Sequence, residues 1–281
     1  LADWGVRGLC ISGGGEPTLH PDVPSVIRWA KQQPLHIALV TNGVELNDEL
    51  AEAMMLCRWI SFSVDAATAR EYMRIKGANR FDDVIRNIRK VADLRACTRS
   101  RVDLCFKMLV LPENIGTLFK AAKLAKELGV QDFHVRPVDL ERQDIQNAKA
   151  LTFNMKAIYE EFEMCHELET KDFRVYTIMH KFDGDFHVQH DFERCLATPL
   201  VIPILSDGNA YLCVDRKMEA KYKLGSCFPE PQNILGWWGS ERHRELVRGI
   251  DIANCSRCTW SQYNAQIENA VLNDKMCLSF P

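Results

Sequence analysis

Four cysteines in the last third of the chain have the types and spacing of a metal-binding set. Cys255 and Cys258 form a C-x-x-C pair, a weak signal alone because 11 cysteines in 281 residues make a chance pair unsurprising. Cys195 and Cys213 add weight. Twelve residues separate Cys195 from Gly208 and four more lead to Cys213, with the turn-forming run Ser206-Asp207-Gly208-Asn209 between them. A hairpin between Leu200–Leu205 and Ala210–Val214 would bring those two thiols together. Four convergent thiolates suit either zinc or an iron–sulfur cluster. The histidines His180, His187 and His190 fit no compact site, and their polar surroundings predict a solvated loop.

A second candidate lies near the start, in Ile11-Ser12-Gly13-Gly14-Gly15-Glu16-Pro17-Thr18. Three glycines at the end of a strand-like run strip away side chains, so backbone groups can approach a ligand closely. The run is not a P-loop, for no Gly-Lys-Ser/Thr follows. It is a poor dinucleotide fingerprint, with Thr18 at the third glycine position and Pro17 intruding. A tight strand-to-helix turn explains the glycines equally well. Glu16 tilts the reading toward a ligand, because it places a carboxylate at that edge.

These groups need a scaffold, and the hydrophobic pattern supplies one. Candidate strands fall at Gly8–Ser12, His36–Thr41, Trp59–Asp65, Val102–Leu111, Val130–Pro137 and Phe173–Ile178. Helical spacing links them, most clearly at Phe81, Val84, Ile85, Ile88, Val91 and Leu94, and again from Ile115 to Leu128 with Gly129 as C-cap. A further helix is predicted over Thr152–Leu168, and Asp139–Ala150 reads as a polar loop. Strand and helix alternating at this spacing indicate a parallel α/β sheet. Period-two alternation puts Ser61, Ser63 and Asp65 on one face, as it does Asp103, Cys105 and Lys107, and His134 with Arg136. Parallel sheets covered on both sides are apolar on both. A polar face therefore predicts a wide barrel with helices outside and a polar ligand in its lumen. After His180 the apolar pieces shorten and turns multiply, and six of the 11 cysteines lie between Cys195 and Cys277. Only Glu241–Arg248 reads as a clear helix there. Two domains are expected, residues 1–190 and 191–281.

Composition sets the bounds. With 47% apolar and 26% charged residues the chain is globular, not disordered or fibrous. A net charge of -3, from 35 basic and 38 acidic residues, gives no footprint for nucleic acid or an anionic membrane. No apolar run approaches the roughly 18 residues of a spanning helix. An odd number of scattered cysteines argues against a disulfide framework and for a reducing, cytoplasmic setting. Cys10, Cys57, Cys97 and Cys165 are expected to be buried, inert thiols, whereas Cys227 and Cys277 are unassigned. Leu1–Arg7 does not resemble a signal peptide, and with no initiator Met the chain reads as a fragment lacking its amino-terminal part.

Taken together these residues resemble the radical S-adenosylmethionine (SAM) enzymes that carry a SPASM or twitch auxiliary-cluster domain. Gly14-Gly15-Glu16-Pro17 resembles that family's GGEP motif, and Thr41-Asn42-Gly43 its usual strand ending. Ser63-Val64-Asp65 with Ile75-Lys76-Gly77 is similar to its ribose-strand pattern, Lys76 standing where arginine is commoner. Cys195, Gly208 and Cys213 match the opening of the auxiliary domain, and Ile234 to Arg248 resembles the helix before its closing C-x-x-C. Two departures stand out. The C-x3-C-x2-C loop that binds the SAM-cleaving cluster is absent, which truncation would explain. The later cysteines of a full SPASM domain are also missing, which points to a twitch-like domain, although Cys277 could serve in a fuller arrangement.

The resemblance implies a partial (β/α)6 TIM-like barrel followed by a small cysteine-rich α+β domain. It implies SAM bound across the carboxyl edge of the barrel, with Glu16 at the amino group beside the Gly14 and Gly15 backbone. Asn42 would join that cofactor site, Ser63 and Asp65 would face the ribose, and Lys76 or Arg136 would pair with the carboxylate. Its 4Fe-4S clusters would be an auxiliary one on Cys195, Cys213, Cys255 and Cys258 and a SAM-binding one on the missing segment. Activity would be that of an oxidoreductase or maturase: a 5′-deoxyadenosyl radical abstracts hydrogen from a small-molecule or peptide substrate, and flavodoxin or ferredoxin supplies electrons. No membrane or nucleic-acid partner is expected, and Glu141, His134 and Cys105 are the candidates for a general base. The rival from another class is a non-catalytic zinc-binding protein whose four cysteines form a purely structural site.

Overall fold

The computed structural model describes residues 2–138, 153–255 and 258–273. It divides into two compact units, the first holding residues 1–138 and 151–178, the second residues 139–150 and 179–281.

In the first unit the apolar runs become six strands: β1 (Gly8–Ile11), β2 (His36–Thr41), β3 (Trp59–Ser63), β4 (Asp103–Val110), β5 (Asp132–Pro137) and β6 (Arg174–Thr177). They pair in parallel in chain order, β1 to β6, as a helix-linked barrel requires. The connecting helices are α1 (Val23–Lys31), α2 (Asp48–Met54), α3 (Ala69–Lys76), α4 (Phe81–Thr98), α5 (Leu118–Glu127) and α6 (Met155–His166). Their ends follow local chemistry. Asn47 and Thr68 cap α2 and α3 through side-chain oxygens that accept the Leu50 and Glu71 N–H groups. Gly77 closes α3 at a φ of 70°, a conformation that favours glycine. Gly129, expected as the cap of the helix before β5, also lies at positive φ, 80°.

Alternation decides where the core sits. Leu39, Ile60, Phe62, Leu104, Phe106 and Phe133 are sealed against the helices. Gly43 shows how close that packing is: a Cβ there would lie 3.0 Å from Phe62 and 3.4 Å from Val84 of α4. The opposite face carries Ser61, Ser63, Asp103, Cys105, Lys107, His134 and Arg136, as period-two spacing predicted, together with Trp59 and Asp132. That face is concave. The Trp59 ring on β3 reaches within 6.2 Å of His134 on β5, across an intervening strand, and His134 meets Tyr176 edge-on at 4.6 Å.

The second unit is built from small pieces. An antiparallel pair, β7 (Asn209–Tyr211) and β8 (Lys223–Ser226), packs with α7 (Ile234–Trp237) and α8 (Glu241–Arg248), and α9 (Ser261–Ile267) follows. Its core is Leu212, Tyr222 and Leu224, joined by Trp237, Trp238 and Leu246. The expected hairpin is only partly realised. A turn forms at Gly208, with φ 74° and one antiparallel bridge between Ile204 and Ala210, but the strand partner of β7 is β8. Pro203 accounts for part of the difference, since it removes an N–H that an extended arm from Leu200 to Leu205 would need.

Candidate functional site

At the carboxyl ends of β1 and β2 the glycine run turns and Glu16 folds back over it. The Glu16 carboxylate is a hub: Oε1 accepts the Thr18 N–H at 3.1 Å, the Thr18 hydroxyl at 2.8 Å and the Thr41 hydroxyl at 2.7 Å, and Oε2 accepts the Asn42 N–H at 2.6 Å. It ties the two strand ends together and keeps its remaining acceptor capacity on Oε2. A Cβ added at Gly14 or Gly15 would meet nothing within 4 Å, so this edge is open to a ligand. Asn42 uses its side-chain oxygen to accept the Val44 N–H at 2.8 Å, leaving its backbone at the edge.

The next strand end is more constrained. Asp65, at φ 62°, is buried, and its carboxylate takes the Leu109 N–H at 2.7 Å and the Lys76 ammonium at 2.5 Å. A non-glycine residue in that conformation is uncommon, and such backbone gathers at binding sites. Asn114, fully buried and not singled out in the sequence, holds it there: its amide nitrogen donates to the carbonyls of Asp65 and Leu109, at 3.0 and 2.8 Å. Thr41, the hydroxyl partner of Glu16, was likewise noticed only as part of a strand ending. Ser63 sits one register step away beside Lys107, and Arg136 follows on β5, donating to the Pro137 carbonyl at 3.2 Å.

Deeper in the concave face, burial and then the positive charges of Lys107 and Arg174 push the His134 imidazole down to about 4. Burial foremost, with Asp132 adding to it, pushes the Cys105 thiol up to about 12. His134 is thereby a free imidazole of low proton affinity and Cys105 a protonated thiol, so each is a weak general base at neutral pH; Glu141 lies outside the described residues. Arg174 ties the floor of this face through Asp132, at 2.7 Å.

In the second unit the structure brings together all four predicted cysteines. Cys195, Cys213, Cys255 and Cys258 line one cavity with Asp215, Arg216 and Asn264, while Phe192, Ile250 and Ile252 supply apolar wall. Burial is the first cause of a raised pKa at each thiol, to about 12 at Cys213 and about 11 at Cys258. At Cys255 the neighbouring Arg216 works in the other direction. Two N–H groups point at sulfur, from the Asp215 backbone to Cys213 and from the Asn264 amide to Cys258, each at 3.4 Å. Asp215 also clasps the C-x-x-C turn, accepting the Thr259 N–H at 2.6 Å and its hydroxyl at 2.9 Å. Two groups expected in a solvated loop brace the same turn: His190 bonds the Cys255 carbonyl at 3.1 Å and Lys181 donates to the Thr259 carbonyl at 3.1 Å. Among the described residues no three His, Cys, Asp or Glu side chains are arranged to hold a single metal ion.

The other cysteines divide differently from expectation. Cys57, Cys105 and Cys165 are buried, but Cys10 and Cys97 are exposed, Cys10 on the open face of β1 and Cys97 in the last turn of α4. Cys227 does not line the four-thiol cavity, and Cys277 lies outside the described residues, as do the loop 139–150 and the start of the helix expected from Thr152.

Residues 1–125 match the Radical SAM superfamily. This part of the barrel unit is similar to radical SAM enzyme domains. Among curated proteins, the mycofactocin maturase MftC of Mycobacterium ulcerans is 30% identical over 119 residues, 42% of this chain and 31% of that protein. The AdoMet-dependent heme synthase of Methanosarcina barkeri is 28% identical over 46% of this chain and 36% of that protein. A probable GTP 3′,8-cyclase of Saccharolobus islandicus is 31% identical over 43% of this chain and 39% of that protein. The matches thus span well under half the length of these relatives. Among solved structures, Streptococcus suis SuiB bound to S-adenosylmethionine aligns over 89% of this chain and 59% of its own, with a TM-score of 0.60 at 13% identity. SuiB has also been solved with its precursor peptide SuiA, at TM-score 0.61 and 11% identity over 86% of this chain and 56% of its own. The AdoMet-bound anSMEcpe aligns over 92% and 70%, with a TM-score of 0.59 at 16% identity. At these identities the likeness is one of fold, that of a partial TIM barrel.

The superfamily implies SAM and a 4Fe-4S cluster as cofactors. The edge just described presents an unobstructed glycine run, a fixed carboxylate and two cationic side chains, Lys76 and Arg136. No described helix is long and apolar enough to cross a membrane.

Proposed function

We propose that the protein is a radical SAM oxidoreductase or maturase acting on a small-molecule or peptide substrate, with an auxiliary 4Fe-4S cluster on Cys195, Cys213, Cys255 and Cys258. The single observation that carries the reading is a radical SAM domain whose strand ends present an open, polar edge. When bound, SAM and its cluster supply the 5′-deoxyadenosyl radical, and the chain's own residues place the reactants and exclude water.

The geometry sharpens the expected roles. The Gly14 and Gly15 backbone lies open beside the Glu16 carboxylate, where an amino group would fall to Oε2, since Oε1 already accepts three bonds. Lys76 and Asp65 share an ion pair, so they act at the cofactor as a unit, Asp65 with Ser63 toward the ribose. Lys76, already paired with Asp65, or Arg136 would meet the cofactor's carboxylate. Asn42 contributes its backbone. In the second unit, four thiols on one cavity and two N–H···S contacts support a cluster, since donors to sulfur suit thiolates that carry cluster charge. Such a cluster would take an electron from the substrate radical or anchor substrate. A peptide substrate fits the maturase among the relatives and the SuiB–SuiA complex. Flavodoxin or ferredoxin, in the cytoplasm, is the proposed electron donor.

The intact protein, reduced anaerobically with SAM, is expected to form 5′-deoxyadenosine; SAM recovered unchanged would overturn the enzymatic reading. Replacing Cys195 and Cys213 by Ala is expected to remove one cluster's iron and sulfide. Unchanged iron would defeat the ligand assignment, and a colourless protein holding one zinc would establish the structural alternative.

A further inference from the structure

Asn264 on α9 is fully buried and touches two arms of the four-thiol cavity at once. Its side-chain oxygen accepts the N–H groups of Leu196 and Ala197, at 2.6 and 2.7 Å, the two residues that follow Cys195. Its nitrogen lies 3.4 Å from the Cys258 sulfur. The orientation of the amide is set by chemistry: two backbone N–H donors can face only the oxygen, so the NH2 must face the sulfur. No other uncharged side chain of that size offers an acceptor for two donors and a donor for a thiolate on one rigid plane. Leucine would leave two N–H groups buried and unpaired, and aspartate would keep the acceptors but turn an oxygen toward the sulfur.

We propose that Asn264 is the positioning residue of the four-cysteine centre. It fixes the Cys195 loop against Cys258, and its N–H···S bond raises the reduction potential of the cluster held there. The proposal rests on the reading that these cysteines bind an iron–sulfur cluster. An N–H donor withdraws charge from a ligand sulfur, which stabilises the reduced, more negative state and so moves the potential upward. Partners that orient a metal ligand typically contribute about 10- to 100-fold to retention of the metal. The neutral amide does this without adding charge to a cavity already holding Asp215 and Arg216.

The test is anaerobic reconstitution of the 281-residue chain and of Asn264→Asp and Asn264→Leu, with iron, sulfide and the EPR-monitored midpoint potential measured for each. Asn264→Asp is expected to load the cluster and shift its midpoint to more negative values, while Asn264→Leu loses the cluster at least about tenfold more readily to chelator. Folding is checked by circular dichroism. Unchanged midpoint and retention in both folded variants would overturn the role of Asn264 while leaving the cluster in place. An unaltered chain that takes up no iron and sulfide would overturn the cluster reading itself, and the proposal with it. If neither variant folds, side-chain-15N asparagine in the unaltered chain decides: a nitrogen coupling to the reduced cluster is expected in pulsed EPR, and its absence overturns the contact.

Discussion

The two units solve the folding problem by different means. The barrel unit seals a row of large apolar side chains, Ile60, Phe62, Leu104, Phe106, Met108 and Phe133, between sheet and helices. The second unit buries its apolar side chains in smaller and more scattered groups, Phe186, Leu212, Tyr222, Leu224 and Ile234 among them, with half-exposed tryptophans beside its one strand pair, and a separate set of hydrogen bonds braces the segments that carry its four thiols. Hydrophobic burial at roughly 25 cal/mol per Å² can hold the first without a ligand. The second would gain further stability from the cluster proposed for its thiols. On the proposed reading, the fold of one unit creates the binding edge, and in the other the bound group completes the fold.

Removing the proposed cluster is the strongest way to break that contrast. Chelation, or Cys213→Ala, is expected to expose the segment after Met179 to limited proteolysis while residues 1–138 stay resistant; equal loss from both units would erase the distinction. The converse is Phe106→Ala, which empties a fully buried site on β4 and is expected to cost about 3–5 kcal/mol in the barrel unit, read by urea unfolding, with no change in the iron bound.

A third test uses pH. Burial and two nearby cations hold the His134 pKa down at about 4 against 6.5 for the unperturbed group. The unfolded chain therefore binds the extra proton first as pH falls, so this contribution is whole above about 6.5 and drains away toward 4, up to about 3 kcal/mol. His134→Phe is expected to flatten that part of the acid limb in urea midpoints measured from pH 7 to 4. Glu16→Leu is expected to cost less, about 1–3 kcal/mol, because the N–H groups of Thr18 and Asn42 lose their acceptor at a partly wet edge, and it should also weaken SAM binding measured by calorimetry. Arg28→Ala, which breaks an exposed pair with Glu49, is expected to move the midpoint by under about 1 kcal/mol.

Much of the barrel was legible residue by residue. The strand runs at His36–Thr41 and Trp59–Asp65 and the helix from Phe81 were placed within a few positions, because each buries a face set by its own period. The polar lumen followed from the same alternation. The second unit was read less well: its short strands carry too few residues to show a period, and the partner of β7 lay at Lys223–Ser226, beyond the turn that announced a hairpin. Cys97 illustrates another limit. Its place on a helix was clear, but which side of α4 faces solvent in the last turn depends on what packs there.

The amino-acid sequence by itself determined the order of parallel strands, the open glycine edge and the identity of the four thiols, since these depend on local spacing and side-chain chemistry. Only the tertiary structure decided who serves them. Thr41 and Asn114 hold Glu16 and Asp65, and Asp215, His190 and Asn264 hold the cysteines, through contacts between residues distant in the chain. An asparagine or threonine bears no mark of such a role in sequence, because a hydrogen bond is made by position in space and the same side chain on an exposed turn bonds water instead.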